Sequence, residues 1–267
     1  MRPGVPPEQA AHSRVIKKLE PIQSSSLRAV AGAFRATPIR ELETETFTTP
    51  LDIHCSELRA RHLRRTYSSP VGTFIQEQCR AVRGRLLRRS TTRTSIPLVV
   101  PVIQEKLEWA AKLEASLGTD SRKATLQEWK KRWRTTRPRS RWRSSASQAE
   151  PSASRLKLHS QLKKAESSIL VQARTGRIGL AHFLAKAYVQ GYEDPTCRCG
   201  AEQETAEHTL LHCQIEEERR KWPRGARFSD FVSIPRNTLI AARWLIQSNR
   251  INQFQLANRL LYNEATS

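Results

Sequence analysis

Long apolar runs are missing from this 267-residue chain. No stretch approaches the roughly 18 consecutive apolar residues that a membrane-spanning helix needs. The opening MRPGVPPEQAAHSR has no apolar core of the kind a secretory signal carries. The protein is therefore expected to be intracellular, nuclear or cytoplasmic, neither secreted nor bound to a membrane. Aspartate is scarce: Asp52, Asp120, Asp194 and Asp230 are the only four, and no two adjoin. Two-metal polymerase or nuclease chemistry needs clustered carboxylates. Phosphate-binding G-x-x-x-x-G-K, nucleophile G-x-S-x-G and metalloprotease H-E-x-x-H patterns are absent too. No catalytic residues are assigned, and the chain is not expected to be an enzyme. Aromatic residues make up 6% and hydrophobic residues 38%, beside 14 prolines, which leaves room for a modest helical core. Strand patterns are scarce and internal repeats are lacking. Five cysteines are too few and too unevenly spaced for a disulfide framework, so a reducing compartment is expected. Cys55 and Cys79 stand alone within helical patterns and read as small buried hydrophobes.

What is present is positive charge. Lys and Arg number 46 against 25 acids, a net +21 that favours a polyanionic partner. The richest stretch runs from Ser121 to Arg143, with Arg122, Lys123, Lys130, Lys131, Arg132, Arg134, Arg137, Arg139, Arg141 and Arg143, and with Trp129, Trp133 and Trp142 interleaved. Such cations neutralise phosphates, and tryptophan can stack on unpaired bases. Leu126, Trp129 and Trp133 also fall at i, i+3 and i+7, the seam of a helix, so burial is the expected fate of Trp129 and Trp133. Trp142 lies outside that seam and is the tryptophan assigned to nucleic acid, with RNA or single-stranded DNA as the expected partner.

The second positive feature is C-x-C-x8-H-x4-C, formed by Cys197, Cys199, His208 and Cys213. Three thiolates and one imidazole are a usual set for a closed, structural Zn2+ site. Gly200 relieves the turn that brings two near-adjacent sulfurs onto one ion. Thr205 reads as the N-cap of a helix with His208 at its third position. Cys213 then lies about one and a half turns on, so the helix should tighten or end there for both to reach the metal. His212 is the spare ligand.

SSILVQARTGRIGLAHFLAKAYV followed by CRCGAEQETAEHTLLHC resembles the C-terminal end of fungal non-LTR, LINE-type, Tad-like retrotransposon polyproteins. The R-T-G-x-x-G-L motif and the C-x-C-G…E-T-x-E-H…C knuckle carry the likeness. LEPIQSSSLRAVAGAFRATPIRELETETFTTPLDI is similar to the segment after the reverse transcriptase palm in the same proteins, and AARWLIQSNRINQFQLANRLL is a third match. The resemblance implies a non-catalytic remnant, with nucleic-acid- and zinc-binding modules but neither palm nor RNase H. Two alternatives stand beside it. One is a helical module stapled by zinc whose partner is a protein; the other is a piece of an active polyprotein cut short by the gene model.

The expected fold is mainly α: irregular helical bundles, a small zinc-knuckle insertion, and disordered basic or Ser-rich linkers. Residues 1–12 read as disordered. Residues 13–95 form a helical segment that, by the resemblance, matches the thumb or connection. Within it Pro21 should kink or split the helix from Val15 to Arg28, and Thr37-Pro38 and Thr49-Pro50 are two helix starts. Leu51, Cys55 and Leu58 share a face, and Phe74 to Arg89 is a further helix. Residues 96–154 comprise an extended connector, a helix at Gln104–Leu117, the basic stretch, and a Ser/Ala linker. Residues 155–267 form a helical domain with the knuckle at 197–213. There Leu156 to Ala173 is one helix and Thr175 caps a second. Arg174, Arg177 and His182 read as solvated, with nucleic-acid contact as the alternative. Glu216 opens a solvated helix end, and Leu239 to Leu261 is one long amphipathic helix whose Trp244, Leu245, Phe254, Leu256 and Leu260 close the core.

Overall fold

The computed structural model describes residues 7–67, 69–74, 77, 78, 81, 121–136, 144–223 and 225–263. Among these there are helices and turns and no strand, so the fold is mainly α. The expected connector, the helix at Gln104–Leu117, Cys79 and most of Phe74 to Arg89 lie outside the described residues. None of the described helices is long and apolar enough to cross a membrane.

The chain divides into two compact units. One joins residues 1–50 to 132–267 and the other holds residues 51–131, whereas the sequence pattern groups 13–95 together. The smaller unit includes α3 (Leu51–Tyr67) and most of α4 (Ser121–Thr135). On α3 Leu51 and Cys55 are half-buried, so Cys55 is not the buried hydrophobe expected, and Leu58 is 46% exposed.

The larger unit begins with α1 (Pro7–Ala31), which continues as a single helix through Pro21 rather than splitting there. Residues 7–12 belong to this helix and not to a disordered tail. Gly32 then turns the chain with a φ of +63°, and a Cβ there would lie 2.3 Å from the Ser168 hydroxyl. Only glycine permits both the backbone conformation and that approach. α2 (Ile39–Thr46) starts where Thr37-Pro38 predicts, but Pro38 itself takes the cap position. The Thr37 hydroxyl is buried and caps nothing.

The Ser/Ala stretch is not a disordered linker: it holds the short helix α5 (Ser145–Gln148) and buries Ala146, and α6 (Ser154–Lys157) and α7 (Lys164–Thr175), around which the unit is built, come next. The single helix expected from Leu156 to Ala173 is thus two, parted at residues 158–163. Glu166 starts the second by accepting the Lys163 N–H at 2.6 Å. α7 packs on α1, α5, α9 (Phe228–Ser233) and α10 (Pro235–Gln247). Being covered on several sides, it buries every residue from Ser168 to Thr175. Ile169, Leu170, Ala173, Leu245 and Ile246 form the main core; Leu27, Ala31, Leu42 and Val171 form a second cluster beneath α1 and α2.

Thr175 closes α7 rather than capping its successor, and Gly176 at φ +68° ends it in the left-handed conformation. The following helix, α8 (Ala181–Lys186), is short. α10 stops at Gln247, where Asn249 turns left-handed at φ +55°. Beyond it lie a 3-10 turn, α11 (Gln255–Asn258) and a π-type turn, not one long helix. Trp244, Leu245 and Phe254 are buried as expected, but Leu256 and Leu260 are 60% and 53% exposed and close nothing.

Candidate metal centre

Local chain geometry brings the four knuckle residues together. The Cys197 N–H donates to the Ala201 carbonyl at 2.8 Å, and the Gly200 N–H to the Cys197 carbonyl at 2.8 Å. That turn needs Gly200, whose φ is +89°. Thr205 caps the following helical turn through its hydroxyl, which accepts the His208 N–H at 3.1 Å. The helix ends at Cys213, as expected, but its last turn widens and does not tighten. Residues His208–His212 form a π-type turn, and the Cys213 N–H reaches the His208 carbonyl at 2.8 Å. In an α-helix, residues five apart point about 140° away from each other. The i→i+5 bond sets them nearly one above the other. The chain leaves helical geometry at Cys213 itself, in extended conformation.

The ligand atoms of Cys197, Cys199, His208 and Cys213 all lie within 4.8 Å of one another. Cys197 and Cys213 sulfurs are 3.7 Å apart, and Cys199 Sγ is 3.3 Å from His208 Nε2. A tetrahedral ion with metal–sulfur bonds of about 2.3 Å places its sulfurs about 3.8 Å apart. The set is therefore compatible with one metal ion, all four positions being filled by protein. His212 does not belong to it. Burial pushes the His208 imidazole below its usual pKa, which keeps it neutral and able to bind a cation. Burial raises the Cys197 thiol, while the Ala201 backbone lowers that of Cys199.

Around these ligands sits a group that sequence reasoning missed. The Arg250 guanidinium donates to Cys197 Sγ and Cys213 Sγ, each at 3.3 Å. It also donates to Glu204 at 2.8 Å and to Glu216 at 2.7 Å. Its side chain is 5% exposed. Burial alone would lower the Arg250 pKa, but Glu216, the two sulfurs and Glu204 raise it well above normal. Glu204 also reaches back to the preceding helix, where its Oε2 accepts the Ala181 N–H at 3.0 Å and so starts α8. Glu216, expected on a solvated helix end, is buried and also pairs with Arg219. Position 250 follows the left-handed Asn249 and precedes Ile251, which is 2% exposed, so the backbone on both sides is held.

A second buried constellation lies at the R-T-G motif. Arg174 and Arg177 are neither solvated nor exposed to a ligand: they are 0% and 5% exposed. Arg174 forms a forked ion pair with Glu45 and donates to the Val232 carbonyl. Arg177 pairs with Glu41 at 3.0 Å, and Glu41 also accepts from Ser144 at 3.3 Å. Glu41 and Glu45 stand one turn apart on α2, so one helix supplies both carboxylates. His182 is half-buried, its pKa lowered by burial and then by Lys186. Two of the four aspartates serve local structure: Asp194 accepts from Thr196, and Asp230 faces Arg227.

Of the residues assigned to nucleic acid, Arg122, Lys123, Lys131, Arg132 and Arg134 are exposed on α4 and Lys130 is half-buried. Arg134 makes a forked pair with Glu150 at 2.7 and 3.1 Å. Trp129 and Trp133 are buried, at 3% and 7% exposure, so they follow the helical seam. Arg40 lies 3.7 Å over the Trp133 ring. Arg137, Arg139, Arg141, Trp142 and Arg143 lie outside the described residues.

The chain matches no family model, no curated protein and no solved structure.

Proposed function

We propose that this chain is a nucleic-acid-binding segment of the non-LTR retrotransposon type, stapled by a structural zinc ion and without catalytic chemistry of its own. The observation that carries the zinc reading is the donor set of three sulfurs and one nitrogen, all within 4.8 Å of one another. Thiolate and imidazole suit zinc over harder cations, and four protein ligands leave no place for a reactive water. The nucleic-acid reading rests on the net charge of +21 and on the exposed cations of α4. With Trp129 and Trp133 turned inward, base stacking falls to Trp142. The retrotransposon origin rests on the quoted motifs and their order along the chain.

Metal analysis of the purified full chain tests the first half. One Zn2+ per chain is expected, lost in Cys213→Ser; a parent protein that holds no metal overturns it. Titration with single-stranded nucleic acid across a salt series tests the second. If about five phosphates are neutralised, log K falls with log salt at a slope near −3.5. Replacing Arg137, Arg139, Arg141 and Arg143 with glutamine should flatten it, and Trp142 fluorescence should quench on binding. An unchanged slope puts the contact surface elsewhere, and absence of binding favours a protein partner.

A further inference from the structure

Arg250 is not a metal ligand, yet it touches two of the four. Its two terminal nitrogens each face one sulfur at 3.3 Å, Cys197 on one side and Cys213 on the other. These are the two buried sulfurs of the set; Cys199, which Arg250 does not touch, is half-buried. The remaining guanidinium contacts go to Glu204 and Glu216. Those carboxylates belong to the knuckle's own stretch of chain, Glu204 between the ligands and Glu216 three residues after the last. The planar fork is thus held by its carboxylates before any cation arrives, and a lysine has no such fork to give each sulfur its own nitrogen.

Charge balance gives this arrangement a purpose. Three thiolates around a divalent ion carry one net negative charge in a largely buried place, and burial of such a charge is costly unless it is paired. Arg250 places a cation, shared with Glu204 and Glu216, and two N–H···S bonds at fixed spacing beside those thiolates. We propose that Arg250 is a positioning residue of the metal centre. It sets the Cys197–Cys213 edge through two N–H···S bonds, so the site is completed by the segment after α10 and not by the knuckle alone. This rests on the zinc reading above. It implies that the metal pins the chain from Arg250 onward as well as the knuckle.

The test uses the full-length protein, Zn2+ competition against a chromophoric chelator, and Co2+ as a spectroscopic substitute. Arg250→Gln should weaken Zn2+ binding about 10–100-fold, the usual effect of losing a partner that orients a ligand. It should also move the thiolate-to-cobalt charge-transfer band to lower energy, because sulfur freed of N–H donors gives up electrons more readily. Arg250→Lys, which keeps the charge but not the fork, should recover only part of the affinity and leave a smaller band shift. Arg219→Gln, which removes a partner of Glu216 but no contact to sulfur, should leave the band in place. A purely structural role for Arg250 would lower thermal stability without moving the band. Binding within about threefold of the parent together with an unmoved band in Arg250→Gln overturns the inference. Should that variant not fold, parent-like affinity and band in Arg250→Lys overturn it instead. A parent protein that takes up no Co2+ sinks both the metal reading and this one, whereas a metal-binding parent with an indifferent Arg250 sinks only this one.

Discussion

Two buried arginines organise the larger unit, and they are neutralised differently. Arg174 is fully buried and meets a carboxylate and a carbonyl from elsewhere in the protein, a complete set of partners that needs nothing added. Arg250 meets two carboxylates and two sulfurs, and the sulfurs become strong partners only as thiolates. The first site is expected to hold the helices together unconditionally. At the second, the carboxylates hold the guanidinium in either state, and only its bonds to sulfur are expected to strengthen with a cation. A similar guanidinium in a similar degree of burial can therefore be a static staple or part of a ligand-dependent one, according to what faces it.

Stripping the metal should separate the two sites most sharply. Zinc-finger peptides gain roughly 10–16 kcal/mol of apparent free energy from the ion. A chelator should therefore abolish hydrogen-exchange protection across residues 195–216 and after Arg250, while α7 and α10 stay protected. Equal loss of protection in α7 would show that the two sites form one cooperative element.

Glu45→Gln should have the next largest effect. It leaves Arg174 buried without a counter-charge, which costs about 3–5 kcal/mol. The measured midpoint of denaturation should fall while zinc stoichiometry is unchanged. Glu41→Gln should be milder, about 1–3 kcal/mol for a buried donor left short of its partner. Burial already pushes the Glu41 carboxyl up, against the pull of Arg177 and Ser144, so the neutral form is less foreign there. A larger loss in Glu41→Gln than in Glu45→Gln would reverse the ranking.

Acid should act through Glu166. Burial would raise its pKa, but Tyr262, the Lys163 N–H and Arg243 together hold it below the usual carboxylate range. A group whose pKa is lower folded than unfolded gives stability that is present above the unfolded value of about 4.5 and is lost as pH falls through the folded one. Denaturation midpoints taken from pH 6 down to about 3 should therefore fall less steeply in Glu166→Gln than in the parent. The smallest effect belongs to His212→Ala, which should keep one metal per chain, since His212 stands outside the ligand group. If that variant loses metal and His208→Ala keeps it, the ligand assignment is wrong.

The cluster of Cys197, Cys199, His208 and Cys213 was legible because its chemistry is local: residue type and spacing within 17 positions suffice. The buried seam of Trp129 and Trp133 was legible for the same reason, a helical period. Helix ends are less legible. Periodicity alone carries α10 on past Ser248-Asn249, although asparagine is a frequent left-handed stop, and carries α7 back across residues 158–163. The fate of the charges was not legible at all. Arg174 and Arg177 look like any exposed basic pair, as Glu41 and Glu45 look like a solvated acidic turn. Each residue finds its partner 129 or 136 positions away along the chain.

By itself, the sequence determined a helical, strongly basic chain with one four-residue ligand set, because composition, period and close spacing act over a few turns. Tertiary structure alone decided which charges leave water. Glu204, Arg250 and Glu216 came to surround the Cys/His cluster, and α2 became a partner of the R-T-G motif, only when packing brought distant segments together. A charged side chain is tolerated inside a protein only beside its counterpart, and no short-range pattern records where that counterpart will be.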